Sequence, residues 1–371
     1  MKTGVAELPL HAGRCPKWLF PRMKRLGAAI TRAIVEEHGE REFLRRISNP
    51  FFFQSLGCAL AFDWHSSGLT TTVCGALKEG LNFEEHGIAV AGGKGKTSRK
   101  APEEIFLHAE AASLDGKKLV RASKLAAKVD GAAVQDGFQL YHHCFFLSRE
   151  GGWAVVQQGL RAPENAALDW LGAIKGGAAR RYHWLSEKVK SFVEEPHSAV
   201  CCNSSGKTLN MVAAESEGCR KASLDALREG EFKHFVAGQT TLALFEGESK
   251  GMRMQRGHLI DLHQYKALEE MRDFAPENYE EMLCLRGMGP KSVRALALIA
   301  KLVYGEEPSW RDPARYSFAH GGKDGTPRPV DCQLMIESAH FLEDAVEEAR
   351  LGKIEKEECL KRLSEITCSK N

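Results

Sequence analysis

The sequence predicts an α+β protein with two domains, a mixed α+β domain over residues 1–210 and an α-helical domain over residues 211–371. Two observations support this prediction. Strand-like and helical patterns alternate in the first part of the chain, whereas beyond about residue 206 one helical pattern follows another, joined by short polar turns. A chain of 371 residues is also long enough to form two domains, each with a hydrophobic core.

The composition excludes several classes of protein. With 43% hydrophobic and 27% charged residues, the chain is too apolar to be disordered and too charged to be a membrane bundle. It has no signal-peptide pattern and no long uncharged apolar window. Its 11 cysteines include no CxxC pair, which argues against a zinc finger or an iron–sulfur cluster. We expect a cytoplasmic protein with reduced cysteines, no cofactor and no membrane partner.

The first element is a basic helix that begins near Pro21. Its apolar positions recur at helical spacing, at Trp18, Met23, Leu26, Ile30 and Ile34. Residues 1–50 contain ten Lys and Arg against five Asp and Glu, whereas residues 331–371 contain ten acids against six bases. A polyanionic partner is therefore expected to contact the first third of the chain and to avoid the tail.

The next elements are predicted from turn and cap residues. Pro102 begins a helix, and the turn at Asp115 and Gly116 separates it from a second helix rich in Ala and Lys. Two strand-like runs, residues 138–147 and 153–159, flank a turn and predict a β-hairpin.

The glycine-rich loop, residues 92–100, follows a strand-like run. It is not a P-loop, because Val90 occupies the position where that motif requires glycine. Backbone amides and cations of such a loop can still hold phosphates of DNA, and the alternative is a solvated loop. The residues expected to contact nucleic acid here are Lys94, Lys96, Thr97, Arg99 and Lys100.

The most informative run covers residues 279–304, where a short helix ends at Leu285 and a second begins at Pro290. Residues 285–289 between them are called the Gly-Met-Gly turn. Two glycines allow close approach to a phosphate, and the amides of the new helix point at the anion. The pattern resembles a helix-hairpin-helix motif, which implies DNA as the partner, although an ordinary helix corner is the alternative. The residues expected to contact nucleic acid are Gly287, Met288, Gly289, Lys291, Ser292 and Arg294.

A narrower resemblance concerns the DNA glycosylases built on this motif. Members that also cleave the backbone carry a lysine two residues after the second glycine, where this chain has Lys291, and an aspartate after a valine, similar to Asp331. The resemblance implies that the Lys291 amine attacks C1′ and that Asp331 stabilises the oxocarbenium-like sugar. The two residues are 40 positions apart, and Cys332 and Gln333 replace the usual Thr-His pair. Asp331 as a helix N-cap and Lys291 as a phosphate contact are the alternatives.

The irregular stretch between these two residues, 306–329, is rich in glycine and proline. Loops of this length are usually functional or disordered. Trp310 and Tyr316 are its candidates for a pocket that receives an extruded base.

A metal-dependent nuclease is the alternative enzyme. Asp63 and Asp136, with His65 or His142, would hold a divalent ion such as Mg²⁺ that activates water. His142 and His143 are neighbours on a predicted strand, so they face opposite sides and at most one joins a given site.

Residues 11–26, 62–81 and 91–105 together resemble a prokaryotic family catalogued as domain of unknown function 763, and the resemblance covers nearly the whole chain. The family label implies no activity. From the residues we expect a DNA-repair enzyme acting on duplex or damaged DNA, a base-excision glycosylase or glycosylase/AP lyase. The alternatives are the metal-dependent, structure-selective nuclease and a non-enzymatic DNA-binding protein. The sequence predicts no oligomeric state.

Overall fold

This computed structural model describes residues 10–11, 15–62, 68–161, 173–174, 178–202, 206–235, 262–315 and 332–368. Within them the fold is mixed α+β, as the sequence predicts. The helices are α1 (Leu19–Ile47), α2 (Pro50–Ala59), α3 (Gly68–Gly80), α4 (Phe83–His86), α5 (Ala101–Ala111), α6 (Gly116–Lys128), α7 (Glu217–Glu229), α8 (Leu262–Asp273), α9 (Tyr279–Cys284), α10 (Pro290–Tyr304), α11 (Cys332–Glu348) and α12 (Lys353–Cys368). The strands are β1 (Leu10–His11), β2 (Ile88–Lys94), β3 (Val134–Gln135), β4 (Gln139–Ser148), β5 (Trp153–Arg161), β6 (Ala173–Ile174), β7 (Ala178–Leu185), β8 (Ala199–Cys202) and β9 (Leu209–Asn210).

A five-stranded antiparallel sheet lies at the centre, with strand order β2-β4-β5-β7-β8. The predicted β-hairpin is confirmed as β4 and β5, with Phe146 opposite Ala154. The register shifts between Leu140 and His142, where β4 has one extra residue. Strands β1 and β6, and strands β3 and β9, form two further antiparallel pairs.

The two faces of the sheet belong to two different hydrophobic cores, because successive side chains of a strand point in opposite directions. Phe145 and Leu147 of β4 join the first core, which helices α5 to α10 cover. Cys144 and Phe146 join the second core, which helices α1 to α3, α11 and α12 cover. The sheet is therefore buried between two helical layers.

The first core includes residues from both parts of the chain. Phe232 after α7 and Leu296 of α10 share it with Phe145 of the sheet. Trp153 and Trp184 also lie buried in this core. The helices beyond residue 206 thus extend a core that begins on the sheet.

Local sequence signals account for most helix boundaries. The Asp115 side chain accepts a hydrogen bond from the Lys118 amide at 3.0 Å and begins α6. Met23 and Ile30 of α1 are buried, as the helical spacing predicts. Trp18 was expected on the same apolar face, but that expectation is wrong. The helix begins at Leu19, and Trp18 is 66% exposed at its N-cap. Among the described helices, none combines the length and hydropathy needed to cross a bilayer.

Candidate nucleic-acid interface

The Gly-Met-Gly turn joins two helices at the predicted place. α9 ends at Cys284, one residue before the predicted end, and α10 begins at Pro290 with Gly289 as its N-cap. Gly287 has a φ of 91°, a left-handed conformation that favours glycine. Because the first amides of a helix have no partner within it, the start of α10 leaves donors available to a ligand.

The exposure of the residues around this turn divides them into two groups. Gly287, Lys291 and Arg294 are exposed, and Gly289 is half-buried. Met288 and Ser292 are buried, at 1% and 4% exposure. Their predicted contacts with nucleic acid are therefore not available to the side chains in this conformation, and the Met288 side chain instead packs in the first core.

Side chains of α6 and of the segment that follows it donate hydrogen bonds to backbone carbonyls in and next to the turn. The Lys128 amine donates to the carbonyl oxygens of Met288, at 2.5 Å, and of Leu285, at 3.5 Å. Burial lowers the pKa of Lys128. Gln135 donates to the Pro290 carbonyl at 2.6 Å and accepts from the Arg294 guanidinium at 2.9 Å. Side chains near the sheet therefore fix the carbonyl side of the turn.

A basic stripe runs along α6 and ends at this turn. It consists of Lys117, Arg121, Lys124 and Lys128, whose spacing of four, three and four residues places them on one helical face. The first three are exposed, and Arg121 lies 3.6 Å from Glu280 of α9. At 1.5 Å of rise per residue, the stripe spans about 16 Å.

The glycine-rich loop flanks the same helix. β2 ends at Lys94, a short 3₁₀ helix covers Gly95–Lys100, and α5 follows. All five predicted contact residues of this loop, Lys94, Lys96, Thr97, Arg99 and Lys100, are exposed. The base of the loop is fixed by Glu104, which accepts hydrogen bonds from the Gly92 amide at 2.7 Å and from the Lys78 amine at 2.6 Å.

A cavity of about 250 Å³ lies where the glycine-rich loop meets α6. Its lining includes Arg99 of the loop, Lys124 of the basic stripe and Tyr141 of β4. The loop, the stripe and the Gly-Met-Gly turn are thus arranged along α6. We call the exposed cations of the loop, of the stripe and of α10 together the basic surface. Its members are Lys94, Lys96, Arg99, Lys100, Lys117, Arg121, Lys124, Lys291 and Arg294.

A chain of hydrogen bonds forms one side of this cavity. The Ser123 hydroxyl lies 2.8 Å from Nε2 of His143, and Nδ1 of His143 lies 2.9 Å from Oε1 of Gln157. The Gln157 amide nitrogen donates to Asp130, which fixes Oε1 toward the histidine. Nδ1 must then carry the proton, so Nε2 accepts from Ser123. Burial lowers the pKa of His143, which favours the neutral base.

The hydroxyl contacts a neutral imidazole that a third side chain orients, which is the general arrangement by which a base activates a nucleophile. Ser123 could not be identified from the sequence, because a serine inside an Ala-rich helix carries no motif. Its partner His143 is 20 residues away. His142 and His143 do face opposite sides of the sheet, because Cys144 on the His142 side belongs to the second core and Ser123 on the His143 side lies in α6.

The other predicted site residues are only partly described. Trp310 is half-buried against the first core, and the Lys207 amine lies 4.8 Å from the centre of its ring. Asp63, Tyr316 and Asp331 lie outside the described residues. The structure therefore does not bring Trp310 and Tyr316, or Lys291 and Asp331, into a described pocket.

Asp136, the other carboxylate of the nuclease alternative, is part of a buried ion-pair network. It accepts hydrogen bonds from Arg180 at 2.9 Å, Tyr182 at 2.5 Å and the Phe138 amide at 2.9 Å. Arg180 also binds Asp312 at 2.8 Å. Burial raises the pKa of Asp136 although Arg180 opposes this change. Among the described residues, the group with metal-ligand spacing is a different one, Cys74, His142 and Cys144.

Comparison with known proteins identifies the family of the chain. The model of a family described as "Protein of unknown function (DUF763)" matches residues 4–330. The chain belongs to this family, as the resemblance in its N-terminal part predicts. No curated protein and no solved structure matches the chain.

Proposed function

Since the family description names no activity, we infer from the site alone that this protein binds the phosphate backbone of DNA through its basic surface. One observation carries this proposal. The basic stripe of α6 connects the glycine-rich loop, at Arg99 and Lys124, with the Gly-Met-Gly turn, where Lys128 binds the Met288 carbonyl. Two sequence patterns that each favour phosphate binding therefore lie beside the same helix.

The expected mode of binding follows from the kinds of groups on this surface. Contacts that lysine and arginine side chains and helix N-terminal amides make with phosphates carry no sequence information directly. Each phosphate contact releases counterions, so the affinity falls steeply as salt rises. We expect binding that tolerates many sequences and depends strongly on ionic strength.

A direct test measures duplex binding at several salt concentrations. The paired variant Arg121→Ala/Lys124→Ala removes two cations of the stripe. The negative slope of log affinity against log salt should therefore become less steep by about 1 to 2. Lys353→Ala is the matched control, because it removes an exposed lysine of α12, which packs in the second core, whereas α6 packs in the first core. Equal slopes for the wild type and the paired variant would refute the proposal.

Base excision with strand cleavage is the enzymatic function that we propose for this surface. Lys291 is the second residue of α10 and is exposed, and within the described residues no hydrogen bond or ion pair holds its amine. A primary amine at this place can attack C1′ of an abasic sugar and form a Schiff base, a reaction that needs no metal. Asp331 remains the proposed partner that stabilises the sugar as the base leaves.

Borohydride trapping on abasic and base-damaged duplexes in EDTA tests this enzymatic proposal. We expect a covalent adduct with the wild type and none with Lys291→Ala, whereas Arg294→Ala, also exposed on α10, should retain it. Base release without an adduct, lost in Asp331→Asn, would support a monofunctional glycosylase. Neither product on any substrate would refute glycosylase and lyase activity but leave DNA binding intact.

The cavity supports a second candidate function, hydrolysis of a phosphate ester at Ser123. This candidate rests on the 2.8 Å distance between the Ser123 hydroxyl and Nε2 of His143, in a cavity that the cations Arg99 and Lys124 also line. Ser123 would attack phosphorus as the bond to the ester oxygen breaks, and His143 would take the hydroxyl proton and pass it to that leaving oxygen. Water deprotonated by His143 would then hydrolyse the phosphoserine and regenerate the free hydroxyl. Strand cleavage in EDTA that Ser123→Ala abolishes and Lys291→Ala retains would support this function. Cleavage retained by Ser123→Ala would exclude it.

A further inference from the structure

Three donor atoms meet on the face of the sheet that packs in the second core, opposite to the face where His143 contacts Ser123. Cys74 comes from α3, whereas His142 and Cys144 come from β4 and share a face because they are two residues apart. The two sulfur atoms and one ring nitrogen all lie within 4.8 Å of one another. All three residues are buried, with at most 1% exposure.

His142 is buried without the hydrogen bonds that a buried imidazole normally makes. Neither Nδ1 nor Nε2 has a hydrogen-bond partner. The neighbouring His143, by contrast, is bonded through both ring nitrogens. Burying an unsatisfied polar group is costly, so such a group calls for an explanation. A metal ion bound to one nitrogen would compensate this cost.

The two thiols are also suited to binding a cation. The thiolate is the form of cysteine that binds metals. A buried thiolate in an apolar core is stabilised by a positive ion beside it.

We propose that Cys74, His142 and Cys144 bind one soft metal ion, Zn²⁺ or Cu⁺. Thiolate and imidazole are donors that these ions prefer over carboxylate-binding Mg²⁺. Metal bonds of about 2.3 Å to sulfur and about 2.0 Å to nitrogen place the donor atoms roughly 3.5–4.0 Å apart. The present separations, which reach up to 4.8 Å, therefore need to contract by about 1.3 Å or less. The ion joins α3 to β4 and holds both residues that flank His143, on the face of the sheet opposite to the Ser123–His143 contact.

The site was not identified from the sequence, because its residues lack the CxxC spacing of common zinc sites. It is independent of the proposed DNA binding. All three of its ligand residues are buried, whereas the residues of the basic surface are exposed. A protein that fails to bind metal can therefore still be tested for DNA binding, and a protein that fails to bind DNA can still be tested for metal binding.

Metal retention by the full chain tests the proposal. Protein stripped with a chelator under reducing conditions is loaded with Zn²⁺, or with Cu⁺ without oxygen, and desalted before the metal content is measured by mass spectrometry. We expect one equivalent of one of these ions in the wild type and less than a tenth of this in Cys74→Ser and Cys144→Ser. Cys219→Ser is the control, because that buried cysteine lies in the first core.

A second measurement on the wild type avoids the question of whether the variants fold. X-ray absorption of the loaded protein should show two sulfur neighbours and at least one imidazole nitrogen at the metal. A wild type that retains neither ion would overturn the proposal, as would retention by Cys74→Ser and Cys144→Ser equal to that of the wild type. An absorption spectrum without sulfur neighbours would also overturn it.

Discussion

Lys128 of α6 and Met288 of the Gly-Met-Gly turn are 160 residues apart in the sequence, yet the Lys128 amine donates to the Met288 carbonyl at 2.5 Å. This bond connects the basic stripe to the turn that resembles a DNA-binding motif. Because the bond is made to a carbonyl oxygen of the turn, the amides at the start of α10 remain available to a phosphate.

Lys128→Met should destabilise the protein by about 1 to 3 kcal/mol, because it leaves the carbonyls of Met288 and Leu285 without their donor. Lys117→Met is the matched control, since it removes an exposed lysine of the same stripe and should change stability by less than about 0.5 kcal/mol. Urea unfolding of both variants gives the comparison. Equal stability of the two variants would mean that the bond does not hold the turn.

The two glycines of the turn should respond differently to alanine. Gly287 has a φ of 91°, so Gly287→Ala should destabilise the protein by about 1 to 2 kcal/mol. Gly289 has an extended backbone, and an added Cβ there would come no closer than 3.8 Å to the nearest atom, so Gly289→Ala should leave stability nearly unchanged. Thermal unfolding and duplex binding are both measured. If Gly289→Ala retains full DNA affinity, the backbone does not approach phosphate closely at this position.

The base of the glycine-rich loop offers a second pair of glycine variants. At Gly92 φ is 91°, and an added Cβ would lie 2.2 Å from the His143 carbonyl oxygen, so Gly92→Ala should cost about 2 kcal/mol or more. Gly95 has a φ of 58° with no atom within 4 Å of the added Cβ, so Gly95→Ala should cost about 1 kcal/mol. Denaturant unfolding measures the difference. A larger loss in Gly95→Ala would contradict the close contact between β2 and β4.

Arg180→Met tests the interpretation of Asp136 as a structural carboxylate. The variant leaves Asp136 and Asp312 without this cation and should destabilise the protein by about 3 to 5 kcal/mol. Arg311→Met, which breaks an exposed pair with Glu215, should cost about 1 kcal/mol or less. Urea unfolding gives both values. A loss no greater than that of the surface variant would show that the buried network is not intact.

The pH dependence of that loss provides a further check. Burial raises the pKa of Asp136 in the folded protein, and removing Arg180 raises it further. A carboxyl with a raised folded pKa loses stability as pH rises from its unfolded pKa through its folded pKa, because the unfolded state ionises first. The difference between wild type and Arg180→Met should therefore be larger at pH 8 than at pH 5. Added Mg²⁺ should not restore stability if Asp136 is not a metal ligand.

Several elements could be predicted from the sequence because their signals act over a few residues. Asp115 caps α6, Pro290 begins α10, and the alternation in residues 138–159 gives the β-hairpin. The start of α1 was predicted near Pro21, whereas the helix begins at Leu19 and Trp18 is its exposed N-cap, because helix ends depend on competing caps. The proposed catalytic pair of Lys291 and Asp331 stays a prediction, since Asp331 lies outside the described residues.

The sequence by itself determined the local conformation of this protein: the caps, the hydrophobic periodicity and the positions that require glycine. The tertiary structure alone decided which distant side chains meet. Ser123 meets His143, Lys128 meets Met288, and Cys74 meets Cys144, in each case between different elements. The physical reason is that these contacts depend on strand register and on how helices pack against the two faces of the sheet. Spacing along the chain carries no signal for either.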